Sequence, residues 1–493
     1  MKRFWRLLLP AISLLAFAQF AQGQAVSPLD FGLAQASTGT ERYVVLLRAH
    51  RSAVTQGRAI SYAGIDSLAI EVPAGADPIP LPNVTDFAGV VITVKNTAKT
   101  GFLFQMSQEL RTLDLDREIV AKWDFKKVPG LNEGVKLLVV EDKTPWVKQR
   151  KGYSYGATRR DITLLRNGVS RSKPIQPYTS EVSNPKVSFC TVTLDKKEVR
   201  NLTLLRTADS SRKTYAFLFQ NQNNILVENV RVVTPPSSTM TADQIFTVRN
   251  CTNVLFTDVT IDGTYSRVDN YGYGIAMDNV WKARFVRLKA EANWGIFGNN
   301  NLNGAQVEDS DINRLDVHCY GRDIYCVNTT FRNLYNQFAS FYGFLTFEKC
   351  RFIDFVPVLF ESSYNAFTFF EIIIKDCTMT VDGQRPWFIN AARMTYEPNE
   401  RPELAKKYLP SVLLDGLLVE SPKYLSLWYL LHFNGMNTPT VEKTWNVDVR
   451  NLTIQPASVK VRLSNLPLPE AESLKVFVRS WNWKLNKNEL IAR

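Results

Sequence analysis

Residues 314–331 read RLDVHCYGRDIYCVNTTF, and the stretch carries His318, one of three histidines in the chain. Asp316 precedes it by two positions and Arg322 follows by four. A carboxylate beside an imidazole fixes its tautomer and balances the charge it gains with a proton. Such a pair is equipped for general acid–base catalysis. On an extended strand, residues two apart share a face. Asp316, His318 and Tyr320 therefore project together, while Val317 and Cys319 project to the opposite side. Whether this face is a reaction surface or scaffold depends on the elements that hold it.

From about residue 195 a six-residue pattern recurs: apolar, any, turn residue, usually apolar, any, apolar. It is carried by VRNLTL (199–204), VENVRV (227–232), FTDVTI (256–261), FVRLKA (285–290) and VEDSDI (307–312). It continues in CVNTTF (326–331), FEKCRF (347–352), IKDCTM (374–379), LDGLLV (414–419) and VRNLTI (449–454). The first and last columns hold no polar side chain beyond the thiol of Cys326. Asn, Asp and Gly dominate the third column, as expected where two short strands meet at a left-handed turn. Asp309 belongs to that column and reads as a turn residue, and the Asn-x-Thr triplets at Asn201, Asn328 and Asn451 fall on it too.

A repeat this short cannot bury its apolar face alone, so copies must stack on one continuous core. The segments are too short and too rich in β-branched and aromatic residues for helical repeats. No amphipathic helix separates them, as a parallel α/β sheet would require. The pattern predicts an all-β parallel solenoid over 195–455, without an internal linker. Cys350 and Cys377 follow the turn residue directly and are expected in the core as buried thiols. Residues 24–194 are less regular, with strands expected at 90–96, 136–142 and 161–167. They are read as an N-terminal cap and first irregular rungs, and 456–493 as a C-terminal cap, because an open solenoid end exposes core and strand edges.

In this pattern the chain resembles the right-handed parallel β-helix superfamily typified by pectate lyases and polygalacturonases. The resemblance covers about residues 195–455 and rests on the rungs. The clustered aspartates and Arg-x-Lys of polygalacturonases are absent, as is the calcium-binding acidic cluster of pectate lyases, so no family catalytic residue carries over. What the resemblance implies is a substrate face: the strand preceding each copy of the pattern would line a groove for a complex or acidic polysaccharide. Those strands include 272–279, 293–300, 315–322, 338–344, 357–364 and 386–392. Their outward positions would bring Asp278, Asn299, Tyr342 and Glu361 beside Asp316 and His318. Arg322 and Arg385 would stand at the edge, with Trp294, Tyr364 and Trp387 as sugar platforms. His50 and His432 lie in apolar surroundings and read as structural.

Three functions fit this strip. A glycoside hydrolase would use Asp316 and Glu361, two rungs and roughly 9–10 Å apart, near the upper end of the separation for inversion. A polysaccharide lyase would use His318 or a tyrosine as base, with Arg322 neutralising the developing enolate. A non-catalytic solenoid would use the same aromatics to bind sugar. The carboxylates favour the hydrolase; the basic charge favours an acidic substrate. No metal or other cofactor is expected.

The totals bound the setting. The formal charge is +12, from 59 Lys and Arg against 47 Asp and Glu. These charges are dispersed, which argues against a nucleic-acid arm and suits an anionic polymer. Residues 1–23 carry Lys2, Arg3 and Arg6, a short apolar run broken by Pro10 and Ser13, and Ala21-Gln22-Gly23, the layout of a secretory signal. The mature chain is expected to be exported, to the periplasm or beyond, with no integral membrane segment. Six cysteines in 493 residues form no disulfide framework. The oligomeric state is open.

Overall fold

The computed structural model describes residues 24–492 except 97–100, 146–157, 176–184, 207–213, 235–243, 264–272, 291–294, 333–334, 339–340, 361–367, 382–384, 391–409, 422–424, 433–444, 465–475, 481–482 and 487–488. At some strand positions, Cys319 and Tyr320 among them, only the backbone is described. The signal expected at 1–23 lies outside the described residues.

The recurring pattern is the frame of the molecule. Val199, Val227, Phe256, Phe285, Val307, Cys326, Phe347, Ile374, Leu414 and Val449 pair in unbroken parallel register, each with the next. All ten are buried, as are the ten residues of the last column. Every third-column residue, from Asn201 through Asn451, has a positive φ. An L-residue in that region costs roughly 1–2 kcal/mol, least for Asn and Asp. Where the sequence breaks the rule with Arg287, the guanidinium bonds Asp258 one rung back, at 2.6 Å through both Nε and Nη2.

Each rung turns at more than one such corner. Strand Gln244–Gly263 passes through positive φ at Asn250, Asn253 and Asp258 without leaving the sheet. The first corner forms an amide ladder: Asn250 Nδ2 donates to Asn221 Oδ1 at 3.1 Å, and Asn279 Nδ2 to Asn250 Oδ1 at 2.9 Å. Much of the asparagine in the strand tails is therefore corner chemistry. Inside, Phe104, Phe217 and Phe246 stack at 5.2 and 5.0 Å. Cys350 and Cys377 are buried free thiols, with Cys350 N–H donating to Cys377 Sγ at 3.3 Å.

The stretch 24–194 holds three things. Helix Gly39–Gln56, started by a Thr38/Glu41 capping box and stopped at Gly57, lays Tyr43, Leu46, Ala49, His50 and Ala53 over the end of the solenoid. Strands between Ile60 and Ser107 are already solenoid: Ile92 pairs with Leu204 and Phe104 with Phe217. Between them and Lys197 the chain leaves and returns, building an antiparallel sheet in the order 169–170, 158–166, 135–145, 185–191, 111–113. One face of this inserted sheet packs under helix Arg117–Lys122 through Leu138, Val140, Leu165 and Val187. The other docks on the solenoid, with Leu137, Val139, Ile162 and Leu164 against Trp281. At the far end, parallel pairing continues past 455 through Lys460–Ser464 and Val476–Ser480, until an antiparallel hairpin closes it. No helix among the described residues is long and apolar enough to cross a membrane.

Candidate active site

Strand Asp316–Val327 follows strand Gly295–Glu308, which follows Tyr273–Val286. Tyr273 opens the first of these and reaches across the second to the third. Its hydroxyl donates to Asp316 Oδ2 at 3.0 Å and lies 2.8 Å from His318 Nε2. The crossing is possible because position 298 is glycine: a Cβ there would stand 2.5 Å from the Tyr273 ring. Glycine inside a strand often marks such a close approach.

Arg314 completes the group. It is fully buried, its Nη2 is 2.7 Å from Asp316 Oδ2 and 2.6 Å from Gln337 Oε1, and its guanidinium lies 4.4 Å from the Tyr335 ring centre. Burial works against ionisation of Asp316, but Arg314, with His318 beside it, holds the carboxyl below its ordinary value. His318 Nε2 lies 3.4 Å from Asp316 Oδ2, and its side chain is 17% exposed against 0% for Asp316. The group is thus a buried ion pair whose influence reaches the surface through Tyr273 and His318. With Tyr273 donating to Asp316, Nε2 of His318 carries the hydrogen bonded to the Tyr273 oxygen, and Nδ1 carries the lone pair. The arrangement can accept and return one proton.

Several expected positions need correction. Asp316 shares the side of its strand opposite Val317, but it is fully buried and cannot reach a substrate. Asn299 stands in the inward column of Met277, Val317 and Phe338, with both amide atoms buried and unpartnered among the described residues. It follows the inward Phe297 by two positions, in unbroken register with Ile275 and Met277. Arg322 turns to the inserted sheet, donating to the carbonyls of Pro174 (3.1 Å) and Ile175 (3.3 Å) and to Asp323 (3.1 Å). It clasps the insert instead of a substrate. Asp278 pairs with Arg160 of the same insert at 2.7 Å.

Tyr342 lies beside Arg322 on the next strand, partly buried. Arg385 and Trp387 are not brought to His318, since three strand steps separate them, roughly 14 Å. One face of Trp387 is covered by His432, with ring centres 4.0 Å apart. Trp294, Glu361 and Tyr364 lie outside the described residues, as does the side chain of Tyr320.

Solved structures of similar shape were found. The tailspike of Acinetobacter baumannii bacteriophage AP22, solved with A. baumannii capsular saccharide, aligns over 92% of this chain and 79% of its own, at 10% identity and a TM-score of 0.55. The tailspike of Pseudomonas phage LKA1 aligns over 92% and 83%, at 13% identity and a TM-score of 0.54. The chain has the right-handed parallel β-helix fold that these tailspikes share. No family model matches it, and no curated protein does.

In this β-helix the residues that sequence reasoning missed are those joining rungs. Arg314 stood two positions before Asp316 but outside the strand's alternation. Tyr273 gave no signal of its own, because its partners lie two strands on. Gly298, a lone glycine inside a strand, was the legible clue. Among the described residues of the β-helix, no three or more His, Cys, Asp or Glu side chains gather as metal ligands would.

Proposed function

We propose that this protein binds and cleaves an acidic polysaccharide after export, by β-elimination, with His318 as the proton-transfer group. The observation that carries this reading is the network itself: a part-exposed imidazole backed by Tyr273 at 2.8 Å and by an ionised, Arg314-held Asp316 at 3.4 Å. A saccharide as ligand is supported by the capsular saccharide held by the tailspike of phage AP22, similar in fold, and an acidic one by the net charge of +12. Hydrolysis would need two carboxylates at the scissile bond, and burial removes Asp316 from that role.

The chemistry balances on one residue. Neutral His318 takes the proton from the carbon bearing the uronate carboxyl. The electron pair forms a carbon–carbon double bond with the neighbouring carbon, whose bond to the glycosidic oxygen breaks. That oxygen takes the proton back from the imidazolium. Asp316 balances the imidazolium while it exists, and Tyr273 fixes the ring.

Incubation with a panel of acidic polysaccharides tests this. New chain ends should absorb in the ultraviolet as unsaturated uronates, and His318→Ala should lower the rate roughly 100-fold or more with unchanged melting. Reducing ends without that absorbance would identify a hydrolase instead, and binding without cleavage a saccharide-binding solenoid.

A further inference from the structure

The inserted sheet and the β-helix diverge where their apolar contact ends, and the space between them is a cleft of ≈ 510 Å³. That size suits a small ligand. Its wall is one cross-strand row of the sheet: Lys186 pairs with Glu141, and Glu141 with Arg160. Its floor is the solenoid, at Arg249 and Asp278. Three cations thus meet two carboxylates, and they are not equally committed. Arg160 holds both acids, Glu141 at 3.2 Å and Asp278 at 2.7 Å. Arg249 lies 3.9 Å from Asp278, at the limit of an ion pair, with its side chain 48% exposed. Lys186 is exposed as well. The cleft therefore carries surplus positive charge on two exposed side chains, Lys186 on its wall and Arg249 on its floor. Asp278 also pairs with Asn300, and Asn300 with Cys319. Asp278 therefore stands two strand spacings from the strand of His318, roughly 10 Å, and Arg249, its partner on the strand before, three, roughly 14 Å.

We propose that this cleft is a subsite for the carboxylate of an acidic sugar unit, held between Lys186 and Arg249. Glu141 and Asp278, fixed by Arg160, accept hydrogen bonds from its hydroxyls. Charge-assisted bonds to a carboxylate are the strong ones, and a cleft walled by protein strengthens them. The inference rests on the reading of an acidic saccharide as ligand, but not on its cleavage.

The test measures binding to full-length His318→Ala protein by calorimetry. The probes are oligosaccharides of galacturonic acid and of mannuronic acid, each with its methyl ester. At least one acid should bind roughly 10-fold or more tightly than its ester, less so as salt rises. Lys186→Gln with Arg249→Gln should abolish that preference, and Arg249→Gln alone should halve it or more. Equal affinity for acid and ester, a preference that survives the double change, or no binding of either acid would overturn the subsite. Binding with charge preference, where the wild-type protein cleaves none of these acids, would sink the lyase reading and leave the subsite standing. Cleavage without charge preference would do the reverse.

Discussion

Two histidines in this molecule meet a tyrosine hydroxyl through Nε2, in opposite senses: His50, whose Nδ1–H donates to Pro80, accepts from Tyr62, and His318 donates to Tyr273. His50 Nε2 lies 2.8 Å from the Tyr62 hydroxyl, and His318 Nε2 lies 2.8 Å from that of Tyr273. Around them everything differs. His50 sits on the capping helix at 0% exposure, its Nδ1 2.9 Å from the Pro80 carbonyl. Burial pushes it down to about 3, so it stays neutral at ordinary pH. Among the described residues no carboxylate bonds either member of the pair. His318 reaches the surface, with the Asp316–Arg314 ion pair behind it. A histidine–tyrosine bond alone is therefore no sign of a site. A counter-charge and a path to solvent separate a proton-transfer group from a structural plug.

Acid should open that contrast widest. Above about pH 6.5, His50 is neutral folded or unfolded and costs nothing. Below it, the unfolded chain takes a proton that the buried ring refuses, so stability falls until the folded ring also protonates near 3. The slope is about 1.4 kcal/mol per pH unit, hence about 2 kcal/mol between pH 6.5 and 5, where carboxylates contribute little. Denaturant titrations at both pH values should show this loss in the wild type and not in His50→Gln. An equal loss in both proteins would mean that the cap is not the acid-sensitive element.

Tyr62→Phe comes next. It leaves His50 Nε2 buried without its partner, at a cost of about 1–3 kcal/mol. Turnover should not change, because the cap is remote from His318. A drop in turnover with intact melting would reverse the roles assigned to the two pairs.

The same contrast explains what the sequence could say. The inward columns were legible because one constraint is repeated: Val199 through Val449 must all be apolar, and the corner residues must all tolerate positive φ. Even the exceptions at Arg287 and Lys349 kept their places in the column. The region around His318 occurs once. Alternation placed Val317 in the core and His318 at the surface. It could not say that Arg314 would draw Asp316 under cover, or that the pairing would slip between Asn299 and Asn300. The inserted sheet escaped for another reason. Its strands 135–145 and 158–166 read as strands, but nothing local distinguishes antiparallel pairs in an insert from rungs. That blind spot turned Arg322 from a substrate ligand into a contact of the insert and hid the pairing of Asp278 with Arg160.

The smallest change expected to matter is one methyl group at Gly298. The Tyr273 ring lies across this position, and an added Cβ would sit 2.5 Å from Cδ2, 2.6 Å from Cγ and 2.7 Å from Cε2. Position 298 itself needs no special backbone, so all the cost lies in the ring. Tyr273 is partly exposed and can swing outward, so Gly298→Ala should destabilise by only about 1 kcal/mol. Swinging out breaks the bonds to Asp316 and His318, however, and leaves the imidazole unfixed. Turnover should therefore fall roughly 10-fold while the melting point moves by a few degrees. Tyr273→Phe, which removes the hydroxyl but keeps the ring, should give the same loss of turnover with no steric cost. Full activity in Gly298→Ala would show that His318 works without Tyr273, and the likeness to the inert pair at His50 would then be incidental to the chemistry.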